Sequence, residues 1–116
     1  MVNKSSKEEL RRYQALKLEV VAGVKANLNP QPELVANING IDVFKYTADF
    51  SYEDLLTMSF VYEEYKGYIF ERHDSLLRVK IMSALYPLAE FRIVTGKGLY
   101  RTYKAGKAVI QRKKKK

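Results

Sequence analysis

An Asn-Gly dipeptide at positions 39 and 40 constrains the fold more than any other feature of this sequence. Residues that favour extended structure flank it on both sides, in the segment 33–50. Asn-Gly suits the tight turn of a two-residue β-hairpin, because both residue types accept positive φ angles. The sequence therefore predicts two antiparallel strands in this segment, the second of which runs up to Asp49.

A helix is predicted before this hairpin, over about residues 6–23. Ser5 and Ser6 each precede a glutamate by three residues, which is the spacing of a capping box. Apolar residues then recur on one helical face, at Tyr13, Leu16, Val20 and Val24. Glu9 lies on the same stripe one turn before Tyr13, so we expect its carboxylate to point towards the body of the protein.

Two other segments are predicted to lack regular structure. Residues 27–32 contain two prolines separated by one residue, which excludes a helix interior. Residues 51–56 begin with polar side chains and are typical of a turn or short loop. The segment 99–110 is compatible with either a short strand or a helix.

Alternating residues predict a third strand over residues 58–66, in which Glu64 and Lys66 share one face. A second helix is predicted from Asp74, as its N-cap, to residue 86, where Pro87 ends it. A fourth strand follows at 91–94. The order helix, hairpin, strand, helix, strand indicates an α/β fold with a central mixed β-sheet flanked by helices.

The chain of 116 residues fits one domain, residues 1–111, with a basic tail at 112–116. The net charge is +8, and the one arginine and four lysines of the tail account for +5 of it, leaving +3 for the rest. Such a tail attracts phosphate backbones in a salt-dependent way, or it acts only as a solubilising end. We consider the two interpretations equally favoured.

The absence of cysteine excludes disulfides, thiolate metal sites and cysteine nucleophiles. No apolar segment approaches the ~18 residues of a membrane span. The N-terminus lacks the apolar core of a signal peptide. We therefore expect a cytoplasmic protein that does not associate with membranes.

Acidic and basic residues meet where the predicted strands end. Asp49 ends one strand, and Glu64 and Lys66 lie two residues apart on the next. Two carboxylates on adjacent strands suit a hard divalent cation such as Mg²⁺. A nearby lysine can hold or activate the attacking water, or stabilise charge on a phosphate. This spacing is common by chance, and ordinary surface charges at a strand end are the competing interpretation.

Several blocks in a fixed order resemble small phage-encoded proteins of the PD-(D/E)xK nuclease superfamily and, more distantly, its Holliday-junction resolvases. The blocks are SKEELRRY and LKL within residues 6–18, LNPQP at 28–32, YTADFSY at 46–52, YEEYKG at 62–67 and LRVKI at 77–81. They fall within residues 6–94. The sequence departs from the pattern at Ala48, where the superfamily has proline, and at Glu64, where this family often has aspartate.

The resemblance implies a restriction-endonuclease-like core and a Mg²⁺-dependent nuclease, with Mn²⁺ able to substitute. Asp49, Glu64 and Glu9 would be metal ligands, and Lys66 would be the catalytic lysine. The implied substrate is DNA, cut by a structure-specific endonuclease acting on branched or single-stranded forms. A homodimer is expected, because cutting both strands of a junction commonly needs two sites. A viral origin would place the protein in the host cell cytoplasm.

Further residues are expected to contact nucleic acid. The resemblance places Gln31 near the site and turns Arg78 and Lys80 towards the DNA backbone. Arg101 and Lys104 are interleaved with tyrosines, a pattern that suits base stacking and phosphate contact. The same pattern suits packing at a sheet surface or an interface, which we favour for the tyrosines.

Three other features are interpreted as structural. Glu63 alternates with Glu64 and is expected at the surface, with a smaller chance that it replaces Glu64. His73 is the only histidine and is expected to be structural or solvated. The glycines of Thr95-Gly96-Lys97-Gly98 are expected to form a turn.

Two alternatives to the nuclease stay open. One is a non-catalytic DNA-binding protein on the same fold, for which the basic tail and the tyrosine and arginine clusters argue. The other is a protein-interaction module, for instance a small inhibitor of a host enzyme.

Overall fold

A mixed β-sheet lies between helices in the structure, a computed structural model that describes residues 7–66 and 73–109, without the side chains of 73–75. The elements in chain order are α1 (Lys7–Val21), β1 (Lys25–Pro30), β2 (Glu33–Ile38), β3 (Ile41–Thr47), β4 (Phe50–Asp54), β5 (Ser59–Lys66), α2 (His73–Leu85), β6 (Ala89–Thr95), β7 (Gly98–Lys104) and β8 (Lys107–Val109). The predicted α/β class and the mixed sheet with helices are confirmed.

Six strands form the main sheet, in the spatial order β1-β4-β5-β6-β7-β8. Neighbouring strands are antiparallel except β5 and β6, which are parallel because α2 carries the chain back between them. Strands β2 and β3 form a separate hairpin inserted between β1 and β4. Within the described ranges, no helix is long and apolar enough to cross a membrane.

The predicted hairpin turn is confirmed. Asn39 and Gly40 have φ angles of 55° and 83°, which the mirror-image turn of a two-residue hairpin requires. The Gly40 amide donates to the Asn37 side-chain oxygen at 3.1 Å and closes the turn. The second strand of the hairpin ends at Thr47, two residues before Asp49.

The predicted break at 27–32 is wrong, because strand β1 occupies most of it. Pro30 is the last residue of β1, which pairs only with β4 among the described strands of the main sheet and so lies at its edge. Proline is tolerated at such an edge, since no neighbour on the outer side needs its missing N–H. The register also shifts between Ala26 and Asn29, where Asn27 has a φ of 55°.

The predicted loop at 51–56 is also wrong, because β4 covers its first residues. The polar side chains of this strand suggest a loop in the sequence, but in the structure several of them are buried. Ser51 is buried, and the Asp54 carboxylate accepts a hydrogen bond from Arg92 at 2.9 Å. Burial of a polar group is tolerated when such a partner is present.

The ambiguous segment 99–110 forms strands β7 and β8 over its described residues. The expected turn lies between β6 and β7 and has Gly96 and Lys97 as its loop residues. Helix α2 begins at His73, one residue before the predicted N-cap. The predictions for Ser5, Ser6 and the basic tail fall outside the described residues.

Each face of the sheet has its own apolar cluster. On one face, α1 covers a cluster formed by Leu16, Phe50, Tyr52 and Val61. On the other face, α2 and the β2–β3 hairpin cover a larger cluster that includes Ala36, Tyr46, Val79, Met82, Phe91, Ile93 and Tyr103. Successive residues of β5 therefore point into opposite layers of the protein.

Glu63 lies in the layer between the sheet and α1, so the prediction that it lies at the surface is wrong. Its side chain has no exposed area. Arg12 on α1 donates from Nε to Oε2 at 2.6 Å and from Nη2 to Oε1 at 2.9 Å. The Tyr52 hydroxyl donates to Oε1 at 2.6 Å. Alternation does turn Glu63 away from Glu64, but α1 covers that face of the sheet.

We predict that Arg12→Met destabilises the protein by about 3 kcal/mol, because it leaves the Glu63 carboxylate buried without its counter-charge. Chemical denaturation followed by circular dichroism measures the loss. Arg11→Met is the matched control, because Arg11 is exposed on the same helix. Equal small effects from the two substitutions would show that the ion pair does not hold α1 to the sheet.

Candidate metal and phosphodiester site

Backbone hydrogen bonds fix Asp49 in the short connection between β3 and β4. Its N–H donates to the Glu63 carbonyl at 3.0 Å, and its own carbonyl accepts from the Gln31 N–H at 2.8 Å. Its carboxylate oxygen Oδ2 accepts from the Tyr65 N–H at 2.6 Å. Asp49 thus bonds to the residues immediately before and after Glu64, so its side chain lies beside that part of β5.

Glu64 is oriented by a residue of the inserted hairpin. The Tyr46 hydroxyl donates to Glu64 Oε2 at 2.8 Å. Tyr46 is itself buried in the cluster beneath the hairpin and makes an edge-on contact with the Phe91 ring. Burial and the neighbouring Glu64 charge raise the pKa of Tyr46, so the phenol stays protonated and remains a donor.

The carboxylates resist simultaneous ionisation. Burial, followed by the charge of Glu64, raises the pKa of Asp49 to about 8, although the Tyr65 N–H acts in the opposite direction. Burial also raises the pKa of Glu64, although the Tyr46 hydroxyl and the Lys66 charge oppose the rise. A perturbed pair of this kind is a mark of functional sites as well as of structural ion networks.

Glu9 joins the pair from α1. Its side chain is hydrogen-bonded to the Asp49 carboxyl, and its charge contributes to the raised pKa of both Asp49 and Glu64. The predicted orientation of Glu9 towards the body of the protein is therefore confirmed. Three acidic side chains, from α1, the β3–β4 connection and β5, influence one another at this end of the sheet.

Mg²⁺ binds hard oxygen ligands in octahedral geometry. Among the described residues, no three Asp, Glu or His side chains are grouped as ligands of one ion. Magnesium does not require such a group, since one or two carboxylates suffice when water and a substrate phosphate complete the octahedron. Asp49 and Glu64 supply that number of carboxylates, and a cation between them would offset their repulsion. The residue types and their number therefore match what Mg²⁺ requires of a protein.

Gln31 lies next to these carboxylates, as expected. It has a φ of 54°, a left-handed conformation uncommon for residues other than glycine. Its N–H is bonded to the Asp49 carbonyl, and its side chain is exposed. Together with Glu9 and Asp49 it lines an open groove of about 600 Å³.

Arg101 and Lys104 occupy different ends of the sheet. Glu64 pairs with Ile93, which pairs with Arg101, so Arg101 lies two strands from Glu64 at the same level. Its guanidinium lies 5.1 Å from the centre of the Tyr100 ring and donates to the Tyr103 hydroxyl at 3.2 Å. Lys104 lies at the opposite end, where it donates to the Pro87 carbonyl at 3.2 Å.

Arg78 and Lys80 lie on α2, on either side of the buried Val79. The Arg78 guanidinium lies 5.5 Å from the centre of the Phe44 ring, on the inserted hairpin. Lys80 is exposed. Residues two positions apart on a helix do not share a face, so Arg78 and Lys80 point in different directions. A single straight DNA backbone would therefore contact one of the two side chains more closely than the other.

Sequence reasoning missed three residues at this end of the protein. Tyr46 had a weak signal, as a tyrosine three positions before Asp49 inside a matched block. Lys7 lines the groove beside Glu9 and Asp49. Arg11 lines a second cleft of about 280 Å³, between α1, Tyr65 and the β6–β7 turn. No sequence spacing brings α1 to that turn, so only the fold reveals this basic rim.

Comparison of the chain with known protein families, with curated proteins and with solved structures found no match.

We predict that Asp49→Asn stabilises the metal-free protein, and that the gain grows with pH. The unfolded carboxyl ionises near pH 4, whereas the folded one keeps its proton until about pH 8. Wild-type stability therefore falls as pH rises through this window, because the unfolded state binds fewer protons. The gain is absent near pH 4 and reaches about 1–3 kcal/mol above pH 8, less than the full shift implies because the carboxyl is partly exposed.

Denaturant unfolding at pH 4 and pH 8.5 measures this difference, with EDTA present. Asparagine can still accept the Tyr65 N–H, so the substitution removes charge and little else. Mg²⁺ added in place of EDTA should stabilise wild type at pH 8.5 and should have little effect on the variant. A gain from Asp49→Asn that is the same at both pH values would contradict the assignment of charge repulsion.

Proposed function

We propose that the protein is a Mg²⁺-dependent nuclease that hydrolyses DNA phosphodiester bonds. The observation that carries the proposal is the placement of Asp49 beside Glu64 at the end of β5. Asp49 bonds to Glu63 and Tyr65, which flank Glu64, and Lys66 lies two residues further along the same strand. Surface charges at a strand end would not be partly buried, mutually repelling and fixed by hydrogen bonds. This arrangement favours the catalytic interpretation over the one in which the spacing is accidental.

Asp49 and Glu64 would hold the metal ion, with Glu9 as a further acidic group from α1. When bound, the ion supplies positive charge for the phosphate and lowers the pKa of a coordinated water. Mn²⁺ should substitute, because it prefers the same oxygen ligands and octahedral geometry. Strand β4, which follows Asp49, and strand β5, which carries Glu64, would then form a restriction-endonuclease-like core together with α2 and β6.

The chain's own groups supply orientation and charge. Tyr46 holds one oxygen of Glu64, and the Tyr65 N–H holds one oxygen of Asp49, so the other oxygens are presented in fixed directions. The ammonium group of Lys66 lies close enough to Glu64 to lower its pKa. There it can orient the attacking water and stabilise negative charge that develops on the phosphoryl oxygens.

A polyanionic substrate suits the surroundings of the site. Lys7 lines the groove with Glu9 and Asp49, Arg11 lines a second cleft with Tyr65, and Arg101 lies on the same sheet two strands from Glu64. Positive groups around an acidic centre attract the phosphate backbone while the centre binds a cation. We propose DNA as the substrate, a structure-specific endonuclease as the activity, and a homodimer in the cytoplasm as the functional form.

A DNA-binding protein without catalysis is the second candidate, and it rests on the same basic rim. Salt-dependent DNA binding without cleavage at any metal concentration would favour it. Failure to bind nucleic acid even at low salt would favour a protein-interaction module.

We predict that Asp49→Asn and Glu64→Gln each lower Mg²⁺-dependent DNA cleavage by at least about 100-fold, because each removes a charge from the metal site. Initial rates on junction, flap, single-stranded and duplex oligonucleotides measure the loss. Glu53→Gln is the matched control, since Glu53 lies on β4 and its carboxylate accepts from Asn27 away from the site. Full activity in either site variant would refute the proposal.

We predict that Tyr46→Phe raises the Mg²⁺ concentration for half-maximal cleavage by about 10-fold, because Glu64 loses the donor that orients it. Cleavage at saturating Mg²⁺ should recover most of the wild-type rate. Tyr52→Phe is the control, because it removes a hydroxyl bonded to Glu63 in the other layer. If both variants lose stability and neither changes the Mg²⁺ dependence, Tyr46 has only a structural role.

A further inference from the structure

The groove beside Asp49 has the volume and the mixed apolar and polar lining of a small-molecule binding site. Its volume of about 600 Å³ lies within the range of sites for small molecules. Apolar side chains and a polar end form its lining, which comprises Lys7, Glu9, Leu10, Tyr13, Pro30, Gln31, Asp49 and Phe50. The apolar part comes from α1 on one side and from β1 and β4 on the other.

The apolar walls combine a stacked aromatic pair with exposed apolar side chains. Tyr13 and Phe50 stack on each other with ring centres 5.7 Å apart and an angle of 10° between their planes. Leu10 is 54% exposed on α1, and Pro30 is exposed at the end of β1. A flat group placed between Leu10 and Pro30 would cover apolar surface that now meets water.

The polar end of the groove can read a hydrogen-bonding edge. Gln31 is held in a left-handed conformation by its N–H bond to the Asp49 carbonyl. Strained backbone of this kind persists only where the surroundings impose it, and it is common at ligand sites. A glutamine side chain offers both a donor and an acceptor, which is the pattern that base edges present. Lys7 adds a positive charge to the same lining.

We propose that this groove receives an unpaired nucleobase of the DNA strand next to the phosphate that is cut. Leu10 packs on the face of the base and Gln31 bonds to its edge. The inference rests on the proposed nuclease function, because Asp49 both lines the groove and belongs to the cleavage site. A base within a duplex must first be unstacked and unpaired, whereas an unpaired base enters without that cost. The groove therefore selects DNA with unpaired nucleotides at the cut.

Cleavage of a flap substrate tests this directly. Replacing the unpaired nucleotide beside the cut with an abasic residue should lower kcat/KM of wild type by about 10-fold, because the groove loses its occupant. The same replacement should have little further effect in the double variant Leu10→Ala/Gln31→Asn, since the two changes remove one interaction. Asparagine keeps the tolerance for the left-handed backbone at position 31. Leu18→Ala/Gln14→Asn is the control, with both residues exposed on α1.

Binding without cleavage separates this inference from the proposed function. In EDTA, fluorescence anisotropy with a thymidine oligonucleotide and with a matched duplex should show that the double variant weakens single-strand binding about 10-fold and leaves duplex binding unchanged. Groove-dependent single-strand binding without cleavage would leave the groove assignment intact and overturn the nuclease. If Mg²⁺-dependent cleavage has the same kcat/KM with the abasic residue and in the double variant, the groove assignment is wrong and the nuclease assignment stands.

Discussion

The buried ion pair between Arg12 and Glu63 determines how the layers of this protein meet. Its two hydrogen bonds join α1 to β5, and the Tyr52 hydroxyl on β4 donates a third bond to the same carboxylate. Because Glu9 lies three residues before Arg12, the same contact brings Glu9 to the sheet one helical turn away. The acidic cluster and the groove beside it depend on this placement of α1.

Adjacent glutamates on β5 perform different tasks because alternation sends them to different layers. Glu63 is neutralised by an arginine and serves to hold the fold together. Glu64 accepts from the Tyr46 phenol, lies within the influence of the Lys66 charge, and shares its surroundings with Asp49 and Glu9. In the proposed function a divalent cation would relieve the repulsion between these carboxylates. Stability and the proposed chemistry are thus separated by a single step along one strand.

The inserted hairpin connects the edge of the sheet to the site. After β1 the chain leaves the main sheet and forms the β2–β3 hairpin, which lies on the same face as α2. It returns to the main sheet after Asp49. On the way, β3 supplies Tyr46, whose hydroxyl orients Glu64. The hairpin closes onto the site through two more bonds, from the Ala48 N–H to the Pro32 carbonyl and from the Gln31 N–H to the Asp49 carbonyl. Gln31 and Asp49 are brought together in this way, and the wall of the proposed base-binding groove follows from their contact.

The sequence by itself determined the local elements whose signals are local. The Asn39-Gly40 turn, both helices, strand β5 and the orientation of Glu9 follow from turn chemistry and periodicity. It did not reveal β1 and β4, because a proline at an edge and polar residues buried with partners both imitate loops. Nor did it reveal the burial of Glu63, the contact of Tyr46 with Glu64, or the clefts that Lys7 and Arg11 line. These features depend on which element covers each face of the sheet. Packing between segments distant in the chain decides which element that is.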